Sequence, residues 1–297
     1  MAIVIESVAT QSYTSPTGND LTITKPTGLS VGDLMVSCLA HHGNISNIGM
    51  NWATPSGWSL VNESRLNLAV GDGFATAVFY KVADSSDVSA SDFTFSLTSA
   101  QEYVGGCILR VSGIRSDTQF GDGDIDTESD TDNPSYIVAL APAQDNILYI
   151  AMFASGSVIY TSTDVTINGT NPTWTRQFST AVTVDTPSQL EVFTAVDTSH
   201  ETSITTLTPT ETGSSAITDS QGYLSFFLGK TDVTGTLDFI EETDTAFNIS
   251  GNAGVKGTLD FIEETDDTFD IDGKVKEPPT AWTNEARVST TWTNESQ

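Results

Sequence analysis

The string GTLDFIEETD occurs at 235–244 and again at 257–266, a tandem repeat with a period of 22 residues. Ten identical consecutive positions constrain the fold more than any other feature of the chain. Repeated short modules stack, tile or clasp a neighbour, and they offer several equal surfaces where an active site needs one unique pocket. Within each copy a short apolar stretch (Leu237–Ile240; Leu259–Ile262) leads into Glu-Glu-Thr-Asp, and a second stretch (Ala246–Ile249; Thr268–Ile271) ends at Gly251 or Gly273. This reads as strand-turn-strand, two 22-residue β-hairpin repeats over 231–278. A hairpin of this size is unstable alone, so each must dock on something. An extended tail over 279–297 follows, in which Trp-Thr-Asn-Glu occurs at 282–285 and 292–295. Trp282 and Trp292 are large apolar groups on a polar tail, and Phe239 and Phe261 hold equal positions in the repeats. These four are the candidate partner-binding residues.

A fainter duplication underlies the rest. Asp33–Leu39 matches Asp145–Phe153, and Pro55-Ser56-Gly57-Trp58 matches Asn171-Pro172-Thr173-Trp174. Val78–Asp84 matches Val192–Asp197, and Gly105–Val111 matches Gln221–Phe227, in the same order. Threonine and serine are abundant, lysine is scarce, and no apolar pattern of helical period stands out. In DFTFSLT, Phe93, Phe95 and Leu97 alternate with polar residues, as in a half-buried strand. The expected fold is all-β: two related antiparallel halves, 1–115 and 134–230, forming one or two jelly-roll-like β-sandwiches. An acidic linker loop at 116–133 is expected to join them.

The net charge is −28, from 39 acids against 11 bases. Phosphate backbones and anionic membrane surfaces are repelled by such a chain, so neither nucleic acid nor membrane is an expected partner. Residues 1–10 lack the basic start and apolar stretch of a secretion signal. The expectation is a chain made in a cytoplasm without the standard export route.

No Gly-x-Ser-x-Gly elbow, phosphate loop or HExxH motif is present, and His200 has no marked triad partner. With so many acids, a carboxylate pair at any given spacing carries no information. The chain reads as a non-enzyme with no cofactor. One metal candidate stands out: Asp122, Asp124, Asp126 and Glu128 fall at every second position, and in an extended segment they share one side, an arrangement able to cradle calcium. The segment departs from an EF-hand, with Thr127 where glycine is needed and Asn133 where a bidentate Glu is needed. The plainer reading is a solvated linker. Cys38 with His41 and His42 offers too few ligands for structural zinc. Cys38 and Cys107 read as buried thiols, with a disulfide left open. Trp52 lies among Gly, Asn and Ser residues, where an indole stacks on a sugar face, packs beneath its loop or packs against a neighbouring subunit; packing is the plainer reading, and Trp52 is the candidate glycan contact.

The order Thr24-Lys25-Pro26-Thr27-Gly28, Gly32-Asp33-Leu34, Pro55-Ser56-Gly57-Trp58, Val78–Ala83 and Gly105-Gly106 resembles a β-sandwich module of tailed-bacteriophage structural proteins. The Gly-Thr-Leu-x-x-x-Glu-x-x-Asp-Thr module and the Trp-Thr-Asn-Glu repeats resemble short repeats of phage virion and fibre proteins. The resemblance implies a virion component, assembled in the host cytoplasm and released by lysis. Its leading form is a capsid decoration or head/neck fibre-base protein, partnered by copies of itself and other virion proteins. The alternative is a tail adsorption protein that binds host surface glycan.

Overall fold

The computed structural model describes residues 2–13, 20–44, 52–67, 72–97, 103–115, 120–128, 135–142, 146–155, 161–170, 172–182, 188–197, 203–212 and 220–230, and short strands between 233 and 272. The chain divides into two compact units, Met1–Lys230 and Thr231–Gln297.

The first half of the larger unit runs β1 (Val4–Tyr13), β2 (Asp20–Thr24), β3 (Leu34–Asn44), β4 (Ser59–Asn67), β5 (Asp72–Val82), α1 (Ser85–Ser89), β6 (Asp92–Ser96) and β7 (Tyr103–Ser112). The second runs β8 (Phe120–Glu128), β9 (Tyr136–Leu140), β10 (Ile147–Ser155), β11 (Thr161–Ile167), β12 (Thr175–Val182), β13 (Ser188–Asp197), β14 (Ile204–Thr212) and β15 (Ser220–Leu228). The first forms a five-stranded sheet β1-β7-β3-β5-β4 and a small sheet β2-β6, to which Trp52 adds a single bridge at Leu97. The second repeats this order strand for strand: β8-β15-β10-β13-β12, with β9-β14-β11 as its small sheet. In both, the chain crosses repeatedly between large and small sheet in the jelly-roll manner, except at the pairs β4–β5 and β12–β13, which are neighbours in the large sheet.

Three cores hold the unit together. One lies between the sheets of the first half, around Trp58, Phe79, Phe93 and Phe95. Another lies within the second half, around Tyr136, Tyr149, Phe153 and Phe193. The third lies between the halves, where the two five-stranded sheets meet face to face: Val36, Cys38, Cys107 and Leu109 pack with Ile150, Met152, Val192 and Tyr223. The large sheets are therefore covered on both faces. This is why β10 (ILYIAMFAS) and β7 read as continuous apolar runs, whereas β6, covered on one face, alternates.

Across the central interface β4 lies against β8, and β12 lies against β1 and β7. Since β4 is the counterpart of β12 and β1 that of β8, each half presents the same face to the other. The packing is that of an isologous dimer contained in one chain. Tyr80 of the first half stacks on Phe120 and meets Phe227 edge-on, with ring centroids at 5.7 and 6.0 Å.

Two expectations are corrected. Residues 116–133 are not a linker loop: 120–128 form β8, an edge strand paired with β15 along its length. The chain passes between halves at 113–115, where Arg115 N–H donates to the Leu228 carbonyl at 3.0 Å and Lys230 N–H to the Gly113 carbonyl at 2.8 Å.

The second correction concerns the smaller unit. Its strands are β16 (Val233–Thr234), β17 (Leu237–Phe239), β18 (Phe247–Ser250), β19 (Val255–Lys256), β20 (Leu259–Phe261) and β21 (Phe269–Asp272). A hairpin pairs neighbouring strands antiparallel. Here β16 pairs with β19, β17 with β20 and β18 with β21, all parallel. Every partner lies one repeat away: Leu237 opposite Leu259, Phe239 opposite Phe261, Phe247 opposite Phe269. The modules are successive rungs of a short parallel solenoid, each too small to bury an apolar face without the next.

Candidate functional site

Asp124 and Asp126 of β8 face away from the central interface, towards the second half's small sheet. The reason is local: Ile125 packs into the central core, so its neighbours Asp124 and Asp126 point the other way, and a one-residue register slip between Phe120 and Asp122 lets Phe120 face the core as well. There the carboxylates meet backbone. Asp126 Oδ2 accepts from Ile137 N–H at 2.7 Å, and Asp124 Oδ2 from Ala139 N–H at 2.8 Å. Asp124 Oδ1 and Asp122 Oδ1 accept from the next residue's N–H, at Ile125 and Gly123. On its other side β9 pairs with β14. The aspartates thus cap donors that a neighbouring strand would otherwise take, and they guard that edge against pairing with another chain. Asp122, Asp124 and Asp126 are strung along a strand instead of converging, and the Glu128 side chain lies outside the described residues. Among the described residues no group of three His, Cys, Asp or Glu side chains is placed to hold a metal ion.

Trp52 is only 4% exposed. Its ring sits edge-on to His41 with centroids 5.6 Å apart, and its backbone N–H donates to Glu63 Oε1 at 2.9 Å. It belongs to the first half's core, the packed reading that the sequence offers, and the glycan-contact alternative is corrected because no open face is left for a sugar. Trp58 likewise packs edge-on against Phe93 and Phe95. Phe239 and Phe261, expected to meet a partner, are opposite each other in β17 and β20. Trp282 and Trp292 lie outside the described residues.

Three of the bases hold structural posts. Asp33, Asp87 and Glu191 are the buried carboxylates among the described residues, and each meets one base. Arg110 Nε donates to Asp33 Oδ2 at 2.7 Å, Lys81 Nζ to Asp87 Oδ1 at 2.6 Å, and Arg176 Nη1 to Glu191 Oε1 at 3.2 Å. Burial works against the Lys81 charge, but the Asp87 carboxylate outweighs it and raises the ammonium above its usual value. Asp84 caps α1; hydrogen bonds from the Ser86 hydroxyl and the Asp87 N–H hold its carboxyl well below the usual range. Sequence reasoning missed these pairs because their partners are up to 77 positions apart.

The end of the unit where β3 finishes and β5 and β15 begin is the more polar one. His41, His42, Thr76, Ser155, Gln189, Ser220 and Gln221 are all buried there. Gln221 spans the halves: Thr76 Oγ1 donates to its Oε1 at 2.8 Å, and its Nε2 donates to Ser64 Oγ at 3.0 Å. Tyr136 donates to Ser220 Oγ at 2.7 Å while its ring covers Gly222. Strand connections of both halves start and finish at this shared end.

No protein family, curated protein or solved structure matches the chain. Among the described residues no helix is long and apolar enough to cross a membrane.

Proposed function

We propose that the chain is a non-enzymatic structural protein of the bacteriophage particle surface, a capsid decoration or head/neck fibre-base protein whose C-terminal repeats dock on neighbouring subunits. The observation that carries this reading is the parallel, in-register pairing of the 22-residue modules. Such rungs add strand to strand through backbone hydrogen bonds, and a rung at the end of a stack has an edge to offer a neighbour. The duplicated body supports the same reading. Its largest apolar faces are consumed between its own halves, and its acidic strand is occupied in capping backbone donors. Copy number tests the proposal: a stained gel of purified particles should show hundreds of copies for decoration, and a handful would sink that form. Truncation after Lys230 tests docking separately, since full occupancy by the truncated body would remove any role for the rungs.

The alternative is an adsorption protein that binds host glycan. It draws on the shared polar end, where strand ends of both halves meet through Gln221, and it no longer draws on Trp52. Particles lacking the protein should then adsorb poorly; unchanged adsorption excludes a required receptor role.

A further inference from the structure

Cys38 on β3 and Cys107 on β7 are direct partners in the antiparallel register. Both are fully buried, and both face the central interface between the halves. Their thiols are free and hydrogen-bonded to one another. Residues directly opposed on neighbouring antiparallel strands hold their Cα atoms about 4.5–5.5 Å apart. A disulfide bond needs Cα atoms roughly 4.4–6.8 Å apart, so the register itself supplies nearly the required approach without moving a strand.

We propose that Cys38 and Cys107 form a cross-strand oxidation site, closed to a single S–S bond by a two-electron thiol oxidant. The two thiols lose two protons and two electrons, the oxidant takes up both, and β3 becomes covalently stapled to β7. The inference stands on the larger unit alone and is independent of the proposed function.

The position of the pair governs when this happens. Met152 and Tyr223 of the second half pack in the same core as the two sulfurs. The hydrogen bond with Cys107, with burial behind it, raises the Cys38 thiol well above its ordinary value, so little thiolate forms in the closed state. Oxidant reaches the pair only when the two large sheets part, during folding or a large opening. Once made, the bond closes the chain between 38 and 107 and restricts the unfolded ensemble. The pair records whether the chain last opened in reducing or oxidising surroundings.

The test uses the full-length reduced protein and diamide, which is reduced to its hydrazine as the disulfide forms. The reaction is run in plain buffer and in urea just below the unfolding midpoint. Each sample is then denatured, treated with N-ethylmaleimide and weighed intact. The expected product from urea is a monomer, lighter by two hydrogens, that takes no maleimide until dithiothreitol restores two adducts. In plain buffer the same product forms at least about tenfold more slowly, because the reaction waits for opening. After urea is removed, the bridged protein melts about 5 °C higher than the reduced form. Two maleimide adducts after oxidation in urea, or disulfide-linked dimers in place of bridged monomer, would overturn the site. Equal rates in both media would overturn the gating, and a lowered melting point would show that the register does not accommodate the bond. The measurement needs no variant, so a misfolded mutant cannot confuse it.

Discussion

Thr76 and Gln221, 145 positions apart, share a buried hydrogen bond of 2.8 Å across the interface between the two halves. The Gln221 amide passes the contact on to Ser64. At the polar end of this interface, such a tie fixes which strands lie over which. Removing one partner strands the others in a dry interface at about 1–3 kcal/mol. Gln221→Leu is therefore expected to lower stability by about 2 kcal/mol in urea melts, and Thr76→Val by about 1 kcal/mol. The double variant should lose less than the sum of the two. An additive result would mean the hydrogen bond contributes no coupling.

Much of this arrangement was legible in sequence. The faint duplication paired Asp33–Leu39 with Asp145–Phe153 and Gly105–Val111 with Gln221–Phe227, and these stretches fall on β3, β10, β7 and β15, equivalent strands of the two large sheets. What stayed hidden depends on contacts far apart in the chain. β8 resembles a linker because one of its faces carries aspartates and the other includes Gly123. Only the β9 amides, eleven and fifteen positions onward, reveal what the acids do. Trp52 reads both ways because its neighbours are polar, while its bridge partner Leu97, which decides for packing, is distant in sequence. The module reads as a hairpin because two short strands flank a turn-like acidic run. The tandem identity itself was the better guide, since equal sequences stack most simply on each other.

Gly222 supports the ring of Tyr136, and a Cβ added there would meet the ring's Cγ and a Cδ at 2.2 Å. The ring is held by its hydroxyl bond to Ser220 and cannot swing clear. Gly222→Ala should destabilise the protein by about 2–3 kcal/mol through overpacking. Adding Tyr136→Leu to that variant should recover part of the loss, which a thermal melt of the pair can read. No recovery would mean that the strand, not the ring, resists the methyl group.

Arg110 meets Asp33 at 2.7 Å and also donates to the Thr27 carbonyl at 3.1 Å, tying β7 to the turn that precedes β3. Arg110→Met preserves most of the stem packing but leaves a nearly buried carboxylate without its base. The expected loss is about 3 kcal/mol, the size found when one member of a buried pair is removed. Adding Asp33→Asn should restore more than half. If the second substitution instead deepens the loss, Asp33 serves the Ser30 N–H that it also accepts, at 2.8 Å, more than it serves the arginine.

Tyr103 lies in the first half and its hydroxyl meets Thr180 of the second. Burial pushes its phenol up to about 12, and the Thr180 hydroxyl only partly offsets this. A raised folded value means that the folded state holds the proton more tightly than the unfolded one. The stabilisation is complete below the ordinary value of 10.0 and is lost as pH rises towards about 12. Buried Tyr223, shifted in the same direction, adds to the same alkaline limb. Melting temperatures measured from pH 9 to 12 should fall steeply, and Tyr103→Phe should flatten the fall by up to ~2–3 kcal/mol. An unchanged slope would place the loss elsewhere.

The rung pairing of the smaller unit separates two architectures that share a sequence. If each module were a hairpin, deleting residues 235–256 would leave a complete hairpin in 257–278. In the solenoid, the same deletion removes β17 and β18, the parallel partners of β20 and β21, and β19 with them. The remaining module then has no rung to pair with, and a single rung is below the size that folds alone. Limited proteolysis of the otherwise intact chain is the measurement. The deletion should make the remaining module much more sensitive to cleavage while Met1–Lys230 keeps its resistance, because the two units are separately compact. Equal resistance of the remaining module with and without its partner would favour self-sufficient hairpins, and the stacking of identical residues one repeat apart would then have no energetic role.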